Sequence, residues 1–147
     1  DFSTLIGSGW GNKLYNGKRY FFESMSSGTN MLASTLNSWT PENRSNTPRA
    51  VLGDPNGNSR ESDRFLESGN FVRMRQLQIG YSLPQELLEA AKIDKLRFYI
   101  SAENLFTITK YSGTDPEFSR RELLDTGVDR FVYPFTRSFI LGVQYVF

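Results

Sequence analysis

The sequence predicts an all-β fold: antiparallel strands of a transmembrane β-barrel, with long extracellular loops and a short loop helix. Three observations point there. Three segments in the second half alternate apolar with polar residues. The connection between the first two is short, whereas the others are long. The last segment carries an apolar or aromatic residue at every second position up to the carboxylate.

Composition suits β-structure without choosing between architectures. Of 147 residues, 14% are aromatic and 38% hydrophobic by the wide count, and mean hydropathy is -0.45. No run approaches the roughly 18 apolar residues of a membrane-crossing helix, so a helical membrane protein is excluded. Barrel strands need only about 9 to 11 residues and alternate in polarity, which keeps mean hydropathy low. Seventeen basic against sixteen acidic residues give a net charge of +1, so nucleic acid is not an expected partner. The absence of cysteine removes disulfides and thiolate metal sites but locates nothing. Asp1 and Phe2 open inside a strand-like stretch without initiator methionine or signal peptide, so further chain is expected upstream.

Residues 2 to 10 read as the last part of a strand that breaks up at Gly7, Gly9 and Gly11, with loop after it. Met31, Leu32, Thr35, Leu36 and Trp39 recur at helical spacing until Pro41, which predicts a short amphipathic helix capped by Thr29 or Asn30. Residues 40 to 63 are dense in Pro, Asn, Gly and Ser and form a long loop. In the strand from Phe71, Leu77, Ile79, Tyr81 and Leu83 share one face and Gln76, Gln78, Gly80 and Ser82 the other. Pro84 ends it, and QELLEAAKI supplies a helical turn or two.

The next strand places Leu96, Phe98, Ile100 and Ala102 opposite in face to Arg97, Tyr99, Ser101 and Glu103. A hairpin with Tyr81 opposite Phe98 sets Ile79 against Ile100, Leu77 against Ala102, and Gly80 across from Tyr99, where the aromatic would cover the glycine. Residues 110 to 136 form a second long polar loop, with turn signals at Asp115-Pro116 and Tyr133-Pro134. The final strand aligns Phe139, Leu141, Val143, Tyr145 and Phe147, with no charge from Ser138 onward.

Periodicity alone leaves two architectures open, because a soluble β-sandwich buries the same alternating faces against a second sheet. The long loops at one end and the apolar run to the terminus favour the barrel. Strand directions then follow: 71 to 83 runs down to the periplasm, 95 to 106 up, and 137 to 147 down. An open sheet in lipid leaves an edge of unpaired backbone groups, so these strands need others to close.

Four stretches together resemble the carboxy-terminal end of the SusC/RagA family of TonB-linked outer-membrane transporters: LNSWTPEN at 36 to 43, SDRFLESGNFVRMRQLQIGYSLP at 62 to 84, LRFYISAENLFTITKYSGTDPE at 96 to 117 and YPFTRSFILGVQYVF at 133 to 147. GNKLYN at 11 to 16 adds weaker support, and the set covers about half of the chain directly. The resemblance implies the C-terminal strands of a large antiparallel TonB-dependent receptor barrel, spanning 1 to 147, in the outer membrane of a Gram-negative bacterium. It implies as partners the rest of the same barrel and its plug, a SusD-like surface lipoprotein, TonB through an N-terminal region, membrane lipid, and a glycan or peptide substrate. No cofactor is implied.

In that frame Phe139, Leu141, Val143, Tyr145 and Phe147 resemble the terminal signal for barrel assembly, a role compatible with plain lipid contact. Leu77, Ile79, Tyr81, Phe98 and Ile100 are expected to face lipid, with Tyr81, Phe98 and Tyr145 as candidates for the aromatic girdle. Arg73 and Arg75 share parity with Leu77 and lie toward the outer end of their strand, where they could reach lipid phosphate, although a solvated or salt-bridged arginine is the plainer reading.

Trp10 and Trp39 could stack on a sugar, but Trp39 closes the stripe of Met31 and Leu36 and is expected to pack there. A free soluble carbohydrate-binding β-module built on either tryptophan is the competing account. Asp115, Glu117, Asp125 and Asp129 lie in one loop, yet their spacing fits no calcium loop. With neither histidine nor cysteine, the usual triads and most zinc sites cannot be built. Nothing places two carboxylates across a cleft as a glycosidase needs, so no enzyme is expected.

Overall fold

A computed structural model describes residues 1–24, 28, 30–89, 92–118 and 126–147. In chain order its elements are β1 (Phe2–Gly9), β2 (Lys13–Asn16), α1 (Gly17–Phe22), β3 (Leu66–Ser68), β4 (Phe71–Ser82), α2 (Gln85–Leu88), β5 (Lys95–Thr109), β6 (Val128–Asp129) and β7 (Ser138–Val146). They divide between two compact units. The first comprises Asp1–Trp10, Asn70–Thr109 and Phe135–Phe147, and the second Gly11–Gly69 and Lys110–Pro134.

The first unit is a four-stranded antiparallel sheet in the order β1-β4-β5-β7. The register expected from alternation is the one observed: Tyr81 faces Phe98, Ile79 faces Ile100, Leu77 faces Ala102 and Gly80 faces Tyr99. The row continues onto β7, where Leu141 faces Ile100 and Phe139 faces Ala102. Residues 2 to 9 form one continuous strand that runs through Gly7 to Gly9 instead of breaking up there, with Phe2 opposite Ile79 and Gly9 opposite Phe71. β5 also runs on to Thr109, past Asn104, whose φ of 49° lets the strand absorb a register slip. Pro84 precedes the short helix α2, and the turn closes with Leu83 N–H on Leu96 O at 2.9 Å, while Asp94 N–H on Val146 O at 3.0 Å ties the start of β5 to β7. Ala90 and Ala91 of the predicted helical stretch lie outside the described residues. Both long connections leave from the sheet end where Gly9, Phe71 and Thr109 are neighbours.

The second unit holds structure that alternation did not reveal. β2 pairs antiparallel with β3 and parallel with β6. Asn16 then starts α1, its Oδ1 accepting the Arg19 N–H at 3.0 Å. The first helical residue must be Gly17, because a Cβ there would collide with the Asp129 carbonyl. Tyr15, Tyr20 and Phe65 pack edge-on around a fully buried Phe65. The amphipathic helix expected from Met31 is only a 3₁₀ turn over Ala33–Asn37, with no side-chain cap. Ser34, Thr35 and Asn37 in the turn favour local hydrogen bonds over a longer helix, and Leu36 stands 89% exposed in this chain. Thr29, one of the expected caps, lies outside the described residues.

Candidate functional site

The largest feature of the first unit is an exposed apolar sheet face. Pleating puts Phe2 and Ile6 of β1, Leu77, Ile79 and Tyr81 of β4, Phe98, Ile100, Phe106 and Ile108 of β5, and Phe139, Leu141, Val143 and Tyr145 of β7 on one side. Leu141 is 79% exposed, Phe139 71% and Tyr81 64%. A soluble sheet would cover such a face, since each large apolar side chain taken from water is worth about 1.5 to 3 kcal/mol. Across it runs an open depression of about 560 Å³, bordered by Ile79, Tyr81, Phe98, Ile100, Leu141 and Val143. Tyr81 and Phe98 pair near the short-turn end, and the Tyr145 and Phe147 rings lie 5.5 Å apart.

The opposite face is polar and closely covered. Gly80 is overlain by Asp1 and Arg97, which form an ion pair at 2.9 Å. The Tyr99 ring, expected over Gly80, lies instead over Gly142 of β7. Arg97 is the longer side chain on the Gly80 side and takes that space, with its guanidinium 5.2 Å from the Tyr99 ring.

Arg73 and Arg75 do not share a face with Leu77. Leu5 pairs with Gln76 and Ile6 with Met74, so Arg75 has no opposite residue on β1 and forms a bulge. β1 itself alternates without interruption, so Ser3, Leu5 and Gly7 lie on one side, that of Gln78, Gln76 and Arg73. The bulge therefore turns both arginines to the polar face, and Arg75 lies alongside Gly7. Arg73 is buried, donates from Nε to Thr107 Oγ1 at 2.8 Å and stacks on Phe135 at 4.8 Å. This geometry removes the premise of a lipid-phosphate contact by Arg73 and Arg75.

The polar centre of the second unit was missed from sequence. Glu67 accepts from Asn16 Nδ2 at 3.1 Å, Arg19 Nη1 at 2.9 Å, Ser112 N at 2.7 Å and Ser112 Oγ at 2.8 Å. Burial works against its charge, but these donors outweigh burial and hold the carboxyl below the ordinary range. Arg19 also pairs with Glu23 at 2.9 Å, and that hydrogen bond raises the guanidinium pKa. Arg64 joins Glu23 at 3.4 Å, while burial lowers its pKa. Tyr111 donates to the buried Asp129 at 2.7 Å; burial, then this carboxylate, pushes the phenol well above its usual value. Apart from the local Arg19–Glu23 pair, these contacts join residues well separated in sequence. The visible signals were only Asn16-Gly17, a possible cap, and isolated charges in polar segments.

The remaining candidates are scattered. Trp10 stands 69% exposed beyond β1, and Trp39 is 39% exposed, with its backbone N–H on Thr47 O. Asp115 accepts the Glu117 N–H and Asp129 the Val132 N–H, whereas Asp125 lies outside the described residues. Among the described residues no group of three His, Cys, Asp or Glu is placed to hold a metal ion.

No protein-family model matches the chain. Individual relatives do. It is 32% identical over 129 residues to TonB-dependent receptor P3 of Formosa agariphila, covering 83% of the chain and 12% of that protein. It is 28% identical over 149 residues to TonB-dependent receptor SusC of Bacteroides thetaiotaomicron, covering 100% of the chain and 14% of that protein. The solved structure of the RagAB peptide transporter is similar over 99% of the chain and 15% of that structure's chain, with a TM-score of 0.82 and 30% identity. The chain thus spans no more than 15% of the length of each of these three proteins. An uncovered apolar sheet face, a matching strand arrangement and these relatives agree: the chain belongs to the SusC/RagA type of TonB-dependent outer-membrane transporters, as a stretch of barrel wall with its connecting segments.

Proposed function

We propose that this chain forms carboxy-terminal wall strands and outer loops of a transport barrel that imports glycans or peptides together with a SusD-like surface lipoprotein, drawing energy through TonB. The carrying observation is the apolar face of all four strands, exposed from Phe2 to Tyr145. It suits hydrocarbon, whereas the opposite face, with Gln76, Gln78, Tyr99, Arg97 and Arg75, suits a wet interior. Its role is transport rather than catalysis. In this frame Phe139, Leu141, Val143, Tyr145 and Phe147 serve both as lipid contacts and as the strand read during barrel assembly, and Tyr81, Phe98 and Tyr145 as interfacial aromatics. The peptide half of the substrate class draws on the similarity to the RagAB peptide transporter.

The test places single tryptophans at Leu141 and at Gln78 in the membrane-embedded protein and measures quenching by brominated lipid. Quenching at 141 and none at 78 is expected; equal quenching, or none at 141, rejects the wall assignment. Import is tested separately, by loss of growth on peptide or glycan mixtures when the transporter is deleted.

A further inference from the structure

We propose that a groove beside α1 in the second unit binds a carboxylate carried next to an apolar group. The inference rests on the transport reading and narrows its substrate class. The groove has a volume of about 380 Å³, in the range of small-molecule sites, and is lined by residues of α1, by Leu32 and by Ser112, Gly113 and Thr114.

Of its two cations, Arg19 is committed to Glu23 and Glu67. Lys18 is not. Its ammonium meets the Thr114 hydroxyl, and among the described residues no carboxylate pairs with it. Glu67 cannot serve, because its oxygens already accept four hydrogen bonds from Asn16, Arg19 and Ser112. The same loop already holds one carboxylate, through Ser112 N–H on Glu67. The next two backbone N–H groups, of Gly113 and Thr114, donate to no acceptor among the described residues.

An ammonium on a half-buried lysine, with no carboxylate partner among the described residues and beside amides that donate to none of them, recognises an anion with planar acceptor oxygens. Phe22 and Leu32 supply an apolar wall in the same groove, which suits a carboxylate with hydrocarbon attached. Two sources share that chemistry: the carboxy-terminal residue of a peptide and an acidic sugar.

Calorimetric titration of the complete detergent-purified transporter uses four probes: the tripeptide Ala-Ala-Leu, its carboxy-terminal amide, digalacturonate and neutral digalactose. At least one acid is expected to bind about tenfold more tightly than its neutral counterpart, as one charge-assisted contact allows. The acid that shows the preference identifies the source. Lys18→Met abolishes the difference and Lys18→Arg keeps it, both variants being checked for assembly by heat-modifiable migration. Equal binding of acid and neutral forms, a preference that survives Lys18→Met, or no binding by any probe overturns the inference. None of these outcomes touches the transport reading, which the growth assay scores by itself.

Discussion

Tyr99 of β5 lays its ring over the backbone of Gly142 on β7, leaving no space for a Cβ at that position. The ring thereby covers the polar face where a strand glycine would expose its backbone. Gly142→Ala forces the ring off its seat and is expected to destabilise the sheet by about 1 to 3 kcal/mol, the usual cost of overpacking. Tyr99→Ala removes the obstruction, so the double variant loses less than the sum of the single ones. The temperature at which heat-modifiable migration is lost, measured for all three, gives the coupling; strict additivity contradicts the packing described.

Leu141 and Gln144 lie on opposite faces of the same strand. An arginine at 141 puts a charge into the face assigned to hydrocarbon, at a cost of about 2 to 4 kcal/mol if it sits near the bilayer midplane. At 144 the same side chain projects beside Arg97, its ladder partner, where it costs mild repulsion in a wet setting. Yield of folded protein in the membrane is expected to fall sharply for Leu141→Arg and little for Gln144→Arg. A reversed order contradicts the assignment of faces.

Glu67 connects pH to the second unit. Its carboxyl is held below the ordinary value of 4.5, so the charged form favours the folded state. The contribution is complete above about pH 4.5 and is lost as pH falls through the lower folded pKa. Protection of the Ser112 amide, which donates to Glu67, against hydrogen exchange should therefore decline on acidification below that value. Glu67→Gln is expected to start with weaker protection at neutral pH and to show a flatter acid profile. An unchanged profile would remove Glu67 as the source.

Tyr111 donates its phenol proton to Asp129, a carboxylate only 1% exposed. Tyr111→Phe keeps the ring but strips that charged acceptor of its side-chain donor, costing about 1 to 3 kcal/mol. Faster proteolysis between β6 and the preceding segment is the expected readout, and Asp129→Asn in the Tyr111→Phe background should recover part of the loss by removing the unpaired charge.

The wall of the barrel was legible because its information is local. Alternation from Leu77 to Tyr81 and from Leu96 to Ala102 permits only a few registers, and matching apolar faces selects the one with Tyr81 opposite Phe98. The Glu67 centre was not legible, because Asn16, Arg19 and Ser112 converge on it across 45 to 51 residues with no periodic signal. Nor was the helical spacing at Met31 a safe guide, since Ser34, Thr35 and Asn37 among the apolar positions favour local hydrogen bonds and leave only a 3₁₀ turn.

The bulge at Arg75 is the case where local pattern misled, and it yields the sharpest test. Unbroken alternation places positions 73, 75 and 77 on the membrane side and 74 on the inner side. The observed slip between Leu5 and Ile6 instead puts Met74 with Leu77 and turns Arg75 to the polar face beside Gly7. Single cysteines at 74 and 75 separate the two arrangements in the native membrane. Arg75→Cys should react readily with a charged, water-borne thiol reagent, because the residue is exposed on that face. Met74→Cys should react slowly with it and carry a label that brominated lipid quenches. The opposite pattern restores unbroken alternation and with it a lipid-facing Arg75; the predicted pattern fixes the bulge as the point where the strand exchanges its faces.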